Sequence, residues 1–84
     1  MWFKRKPFQV KLTGRAGIVY REGDRSMQVD SEMLVGPRFD MVVFTDSIKA
    51  WEPPDECVPV SEEDKARIRA NITKELNNLR IDWQ

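Results

Sequence analysis

The 84-residue chain contains no histidine. That removes His-based metal sites and the Ser-His or Cys-His pairs that activate a nucleophile. One cysteine, Cys57, is present, so a single copy can form neither a disulfide nor a thiolate metal site. Cys57 sits among acids and prolines, without the basic neighbours that activate a catalytic thiol. The four glycines, Gly14, Gly17, Gly23 and Gly36, are spread over turns and build no phosphate-cradling loop. Carboxylates such as Asp46 and Glu52 can be paired on paper, but any acidic loop offers such pairs. No catalytic, cofactor-binding or metal-binding residue is therefore assigned, and the expected function is binding rather than catalysis. Long apolar runs are also missing: the densest, Met41 to Phe44, falls far short of the ~20 residues of a membrane span. The start of the chain is not followed by the apolar segment of a signal peptide, so a cytoplasmic location is expected. Net charge is zero, which leaves bulk charge no argument for nucleic acid or an anionic membrane.

What is present suits one small globular domain. Hydrophobic residues make up 40% and charged residues 33%, the balance of a folded chain rather than a disordered one. A chain of this length buries only roughly 60–65% of its unfolded surface, so it has a single modest core. Residues 39–44, Phe-Asp-Met-Val-Val-Phe, carry apolar side chains in both alternating sets. Phe39, Met41 and Val43 lie on one face, Val42 and Phe44 on the other, as in a central strand covered on both sides. Thr45-Asp46-Ser47 turns the chain, Ile48 to Trp51 resumes extension, and Pro53-Pro54 stops it.

Upstream, Phe8, Val10 and Leu12 alternate inward along a half-buried strand. Residues 18–22 and 26–30 read as a hairpin around Gly23-Asp24, in the type II′ pattern with glycine first. Residues 31–38 either extend the third strand or bend so as to bury Met33 and Val35. Residues 52–60 hold three prolines and read as a stiff, extended connector. Ser61 is a favoured N-cap, followed by Glu62, Glu63 and Asp64 in the first turn, where negative charge is stabilised. Ile68, Ile72, Leu76 and Leu79 then form one apolar helical stripe, with Glu63 and Arg67 spaced as an ion pair. The expected fold class is α+β: an antiparallel β-meander of four to five strands with one C-terminal α-helix packed on one face. Within a single domain of residues 1–84, residues 1–7 form an arm, 8–51 the sheet, 52–60 the connector and 61–80 the helix. The second sheet face needs a cover, from a homodimer partner, Trp2-Phe3 or residues 31–38.

The zero net charge hides a segregation. Residues 1–25 hold seven bases against two acids, and residues 46–64 hold seven acids against Lys49 alone. In the basic zone, Trp2, Phe3 and Phe8 interleave with Lys4, Arg5, Lys6 and Lys11, as in a groove where bases stack on aromatics. A small nucleic-acid-binding module is the alternative function that this suggests, although no RNA- or DNA-binding signature accompanies it. In the acidic zone, Asp46, Trp51, Glu52, Asp55 and Glu56 join an aromatic to carboxylates on a turn and a proline scaffold. These five are the candidate partner-binding residues, with Trp51 either an anchor or a core residue under the helix.

The succession Ile18-Val-Tyr-Arg-Glu-Gly23, Ser31-Glu-Met-Leu-Val-Gly36, Val43-Phe-Thr-Asp-Ser-Ile48 and Trp51-Glu-Pro-Pro54, then Ser61-Glu-Glu-Asp-Lys65, resembles small bacterial immunity proteins of polymorphic toxin systems, the immunity protein 74 family. The resemblance covers the chain from about Phe8 to Leu79. It implies a cytoplasmic protein that binds and neutralises a cognate toxin by occlusion, with no established catalytic residues. A nuclease, with its basic active site, is a toxin that an acidic face would complement.

Overall fold

The computed structural model describes residues 8–13 and 17–84. The arm expected at residues 1–7, with its aromatic and basic side chains, and residues 14–16 lie outside the described residues. The fold is α+β, but its strands form two three-stranded sheets rather than one meander. Strands β1 (Phe8–Leu12), β2 (Ile18–Glu22) and β3 (Arg25–Val29) make an antiparallel sheet in chain order. Strands β4 (Ser31–Met33), β5 (Met41–Val43) and β6 (Ile81–Trp83) make the second. Only Asp30 separates β3 from β4, so one bent stretch of chain serves both sheets.

The hairpin between β2 and β3 closes on Glu22 and Arg25. Gly23 has φ 61°, and no other described residue has a positive φ. With the left-handed residue first and Asp24 in the ordinary region, the turn is type II′. Register places Leu12, Ile18 and Val29 in one inward row and Val10, Tyr20 and Met27 in the next. Burial fades along β1: Phe8 is buried, Val10 half-buried and Leu12 exposed, against the inward position expected of Leu12.

Strand β5 is the middle strand of the second sheet, with Met41, Val42 and Val43 all buried. It is antiparallel to β4 and parallel to β6. Parallel neighbours need a long crossover, and here it contains the helix α1 (Glu62–Glu75). Ile81 and Trp83 pack on the core as strand residues. The expected extension at residues 48–51 is absent. Thr45–Ser47 is a 3₁₀ turn, and Ser47 Oγ donates to Phe44 O at 2.6 Å while accepting the Asp30 N–H at 2.8 Å. A short hydroxyl side chain thus competes with the ladder and ends it. Residues 31–38 are a short strand followed by bends, and Met33 and Val35 are exposed rather than buried.

The connector is not extended either. Asp55 N–H donates to Glu52 O and Val58 N–H to Asp55 O, both at 2.9 Å, so residues 52–58 fold into successive turns. Proline's fixed φ suits the first inner position of a turn as well as extension. Helix α1 begins with a capping box: Ser61 Oγ accepts the Asp64 N–H at 3.1 Å, and Asp64 Oδ2 accepts the Ser61 N–H at 3.0 Å. It ends at Glu75, well before residue 80, with Leu76 as C-cap. Its fully buried Ile68 and Ile72 join Phe8, Ile18, Tyr20, Met27, Val29, Met41, Val43, Ile48 and Trp51 in one core. Burying each such isoleucine contributes ~1.5–3 kcal/mol.

Candidate partner-binding surface

Residues 52–56 are fastened at their base. Trp51 is only 2% exposed, its ring 6.4 Å from that of Tyr20 and 5.9 Å from the Arg25 guanidinium. The next N–H, of Glu52, donates to Ser26 O on β3 at 2.8 Å. Trp51 is therefore a core residue that holds the connector's root, and its indole does not project as an anchor. Its Nε1 is buried without a hydrogen-bond partner among the described residues.

From that root the turns carry Glu52 and Glu56 into solvent, with Asp55 half-buried between them. These three carboxylates belong to one turn system. Asp46 is exposed on the separate 3₁₀ turn after β5, tied to the second sheet through Ser47. Cys57 is free and exposed. No group of three His, Cys, Asp or Glu residues among the described ones could hold a metal ion. No helix among them is long and apolar enough to cross a membrane.

A second polar constellation joins helix to sheet. Arg67 Nε and Nη2 donate to the two Glu22 carboxylate oxygens at 2.9 and 2.8 Å, and Nη1 donates to Asp64 Oδ1 at 2.9 Å. The expected partner Glu63 is not used. Arg67 spans two elements because Glu22, at the end of β2, lies where α1 crosses. Tyr20 Oη donates to Glu22 Oε2 at 2.7 Å and accepts Asn71 Nδ2 at 2.8 Å. Burial alone would raise the Glu22 carboxyl, but hydrogen bonds from Arg67 and Tyr20 outweigh it and hold the group below its usual range. Burial pushes the Tyr20 phenol up to about 12. A phenol so held stays protonated at neutral pH, and the constellation acts as a clasp. Nothing local in the sequence marks it, since Glu22 and Arg67 are distant along the chain.

A third link closes the second sheet's far end. Arg80 Nη2 pairs with Asp40 Oδ1 at 3.2 Å, and Arg80 N–H donates to Asp40 Oδ2 at 2.8 Å. Those bonds hold the Asp40 carboxyl below its usual range.

The family model described as immunity protein 74 matches residues 9–83. No curated protein and no solved structure matches the chain. With nearly its whole length covered by that model, the chain belongs to this family of small bacterial immunity proteins.

Proposed function

We propose that this member of the immunity protein 74 family neutralises its cognate toxin in the cytoplasm by stoichiometric binding. In this reading the acidic surface of Asp46, Glu52, Asp55 and Glu56 occludes a basic region of the toxin. The family supports the general role of an immunity protein, and in this reading that role is performed by binding. The observation that carries the surface is the anchoring of residues 52–56: an exposed acidic turn whose root is a buried tryptophan and a backbone bond to β3. Such a turn loses little conformational freedom on binding. A nuclease fits, because the bases that hold its phosphates are complementary to these carboxylates.

The test is the pair Glu52→Lys with Glu56→Lys in a toxin-protection assay. Both side chains are exposed, so stability should stay within about 0.5 kcal/mol of the original. The expected result is a slower on-rate and weaker protection, since rim charges act mainly on encounter. Full protection by the reversed chain would place the interface elsewhere. RNA binding through Lys4, Arg5, Lys6 and Lys11 would replace the immunity reading with the nucleic-acid one.

A further inference from the structure

The outer face of the second sheet is a separate acidic surface with apolar side chains in its middle. Ser31, Met41 and Val43 point to the core, so Glu32 and Val42, one position away in each strand, point outward. Register aligns Glu32, Val42 and Asp82 in one row across β4, β5 and β6. Backbone bonds extend the pattern to either side. Leu34 N–H donates to Asp40 O and Asp40 N–H to Arg80 O at one end, and Phe44 N–H donates to Asp30 O at the other. Among the described residues the face therefore carries four acids, Asp30, Glu32, Asp40 and Asp82, against the single base Arg80, which Asp40 already holds. Phe44 and Leu34 are 37% and 38% exposed, while Val42 is 7% exposed yet stands apart from the main core. Asp30, Glu32 and Arg80 are exposed as well, so the rim of this face meets solvent around the buried Val42.

We propose that this face docks a protein surface that presents lysine or arginine side chains around an apolar residue, with Phe44 and Leu34 receiving the apolar part. Charge selects that occupant. An isologous dimer sets a patch against its own copy, which here would oppose acid to acid. Phosphate-bearing ligands would be repelled in the same way. A basic partner pairs with the unmatched carboxylates and buries the exposed rings. Phe44 leads directly into the turn that carries Asp46, one of the four acids proposed above. The inference rests on the immunity reading: the partner is the same toxin, met by a wider platform.

The experiment measures binding of the full chain to the toxin domain encoded beside its own gene. Four proteins are compared: the original, Glu52→Lys with Glu56→Lys, Glu32→Lys with Asp82→Lys, and Glu32→Lys alone. Thermal melts run alongside. Glu32 is exposed and has no ion-pair partner among the described residues, so its single variant decides the matter should the double variant fail to fold. The expected result is affinity lowered about tenfold or more by the Glu32 and Asp82 reversals, with the melt of the single variant unchanged. If the original binds and the 52/56 reversal weakens it while Glu32→Lys and the 32/82 pair bind as before, the sheet face is overturned and the immunity reading stands. If the original does not bind that toxin, both fall together. A dimer in sedimentation that Glu32→Lys dissolves would make a second copy the occupant and overturn the proposal.

Discussion

Tyr20, the only tyrosine in the chain, shows how one side chain serves two layers at once. Its ring is fully buried and stacks near Phe8 at 6.2 Å and Trp51 at 6.4 Å. Its hydroxyl reaches Glu22 on its own strand and Asn71 on the helix. Removing that hydroxyl in Tyr20→Phe leaves both partners short of a bond in a half-buried place, so denaturation should report a loss of about 1–2 kcal/mol. The phenol also sets a pH dependence. Its folded value, about 12, lies above the ordinary 10.0, so its contribution is fully present below pH 10 and disappears as pH climbs toward 12. A near-ultraviolet titration of this single tyrosine should show no tyrosinate at pH 10, where a free phenol is half ionised. Ordinary titration would mean that the hydroxyl is not held.

At the scale of elements, helix α1 divides its stripe unequally. Ile68 and Ile72 are fully buried, while Leu76 is the half-buried C-cap and Leu79 lies beyond the helix. Ile72→Ala should cost ~2–5 kcal/mol, and Leu76→Ala distinctly less, about 1–2 kcal/mol, because part of its surface already meets water. Equal costs in denaturant melts would mean that the stripe is packed evenly along its length. The capping residues, the stripe's first half and the Gly23 hairpin were legible in the sequence because each rests on contacts between near neighbours. The strand at residues 41–43 was legible because its apolar side chains leave no solvent face. What escaped are features decided by distant partners. Three residues at 81–83 show no periodicity of their own and become a strand only because β5 offers an edge. Ile48 and Trp51 suit an extended strand because they are apolar, yet a turn buries them just as well. Of the candidate surface, the exposure of Asp46, Glu52 and Glu56 followed from their charge. Trp51 could not be placed by type alone, because tryptophan serves both cores and interfaces.

Across the whole molecule, three carboxylates depend on being ionised for the bonds they make, and acid should undo them together. Glu22 links the first sheet to the helix through Arg67, Asp40 links the turn before β5 to the chain entering β6 through Arg80, and Asp64 closes the helix cap. The Asp64 carboxyl is held low first by the Ser61 N–H and then by Arg67. All three are depressed below their ordinary values of 4.5 for Glu22 and 3.8 for the aspartates. A carboxyl whose folded value is depressed contributes stability above its unfolded value and loses it as pH falls through the folded one. The denaturation midpoint should therefore hold from neutral pH to about pH 5 and drop steadily from there toward about pH 3. Protonation of the fourteen acids also leaves fourteen bases unbalanced, which adds repulsion in the compact state. Salt separates the two effects: screening relieves the general repulsion but does not restore bonds that need an ionised carboxylate. Glu22→Gln should lower the midpoint at neutral pH and flatten the acid decline, because its share of the loss has already been taken. A midpoint unchanged between about pH 5 and pH 3 in the original chain would mean that the three links contribute nothing to folding, and that burial alone holds the helix and β6 in place.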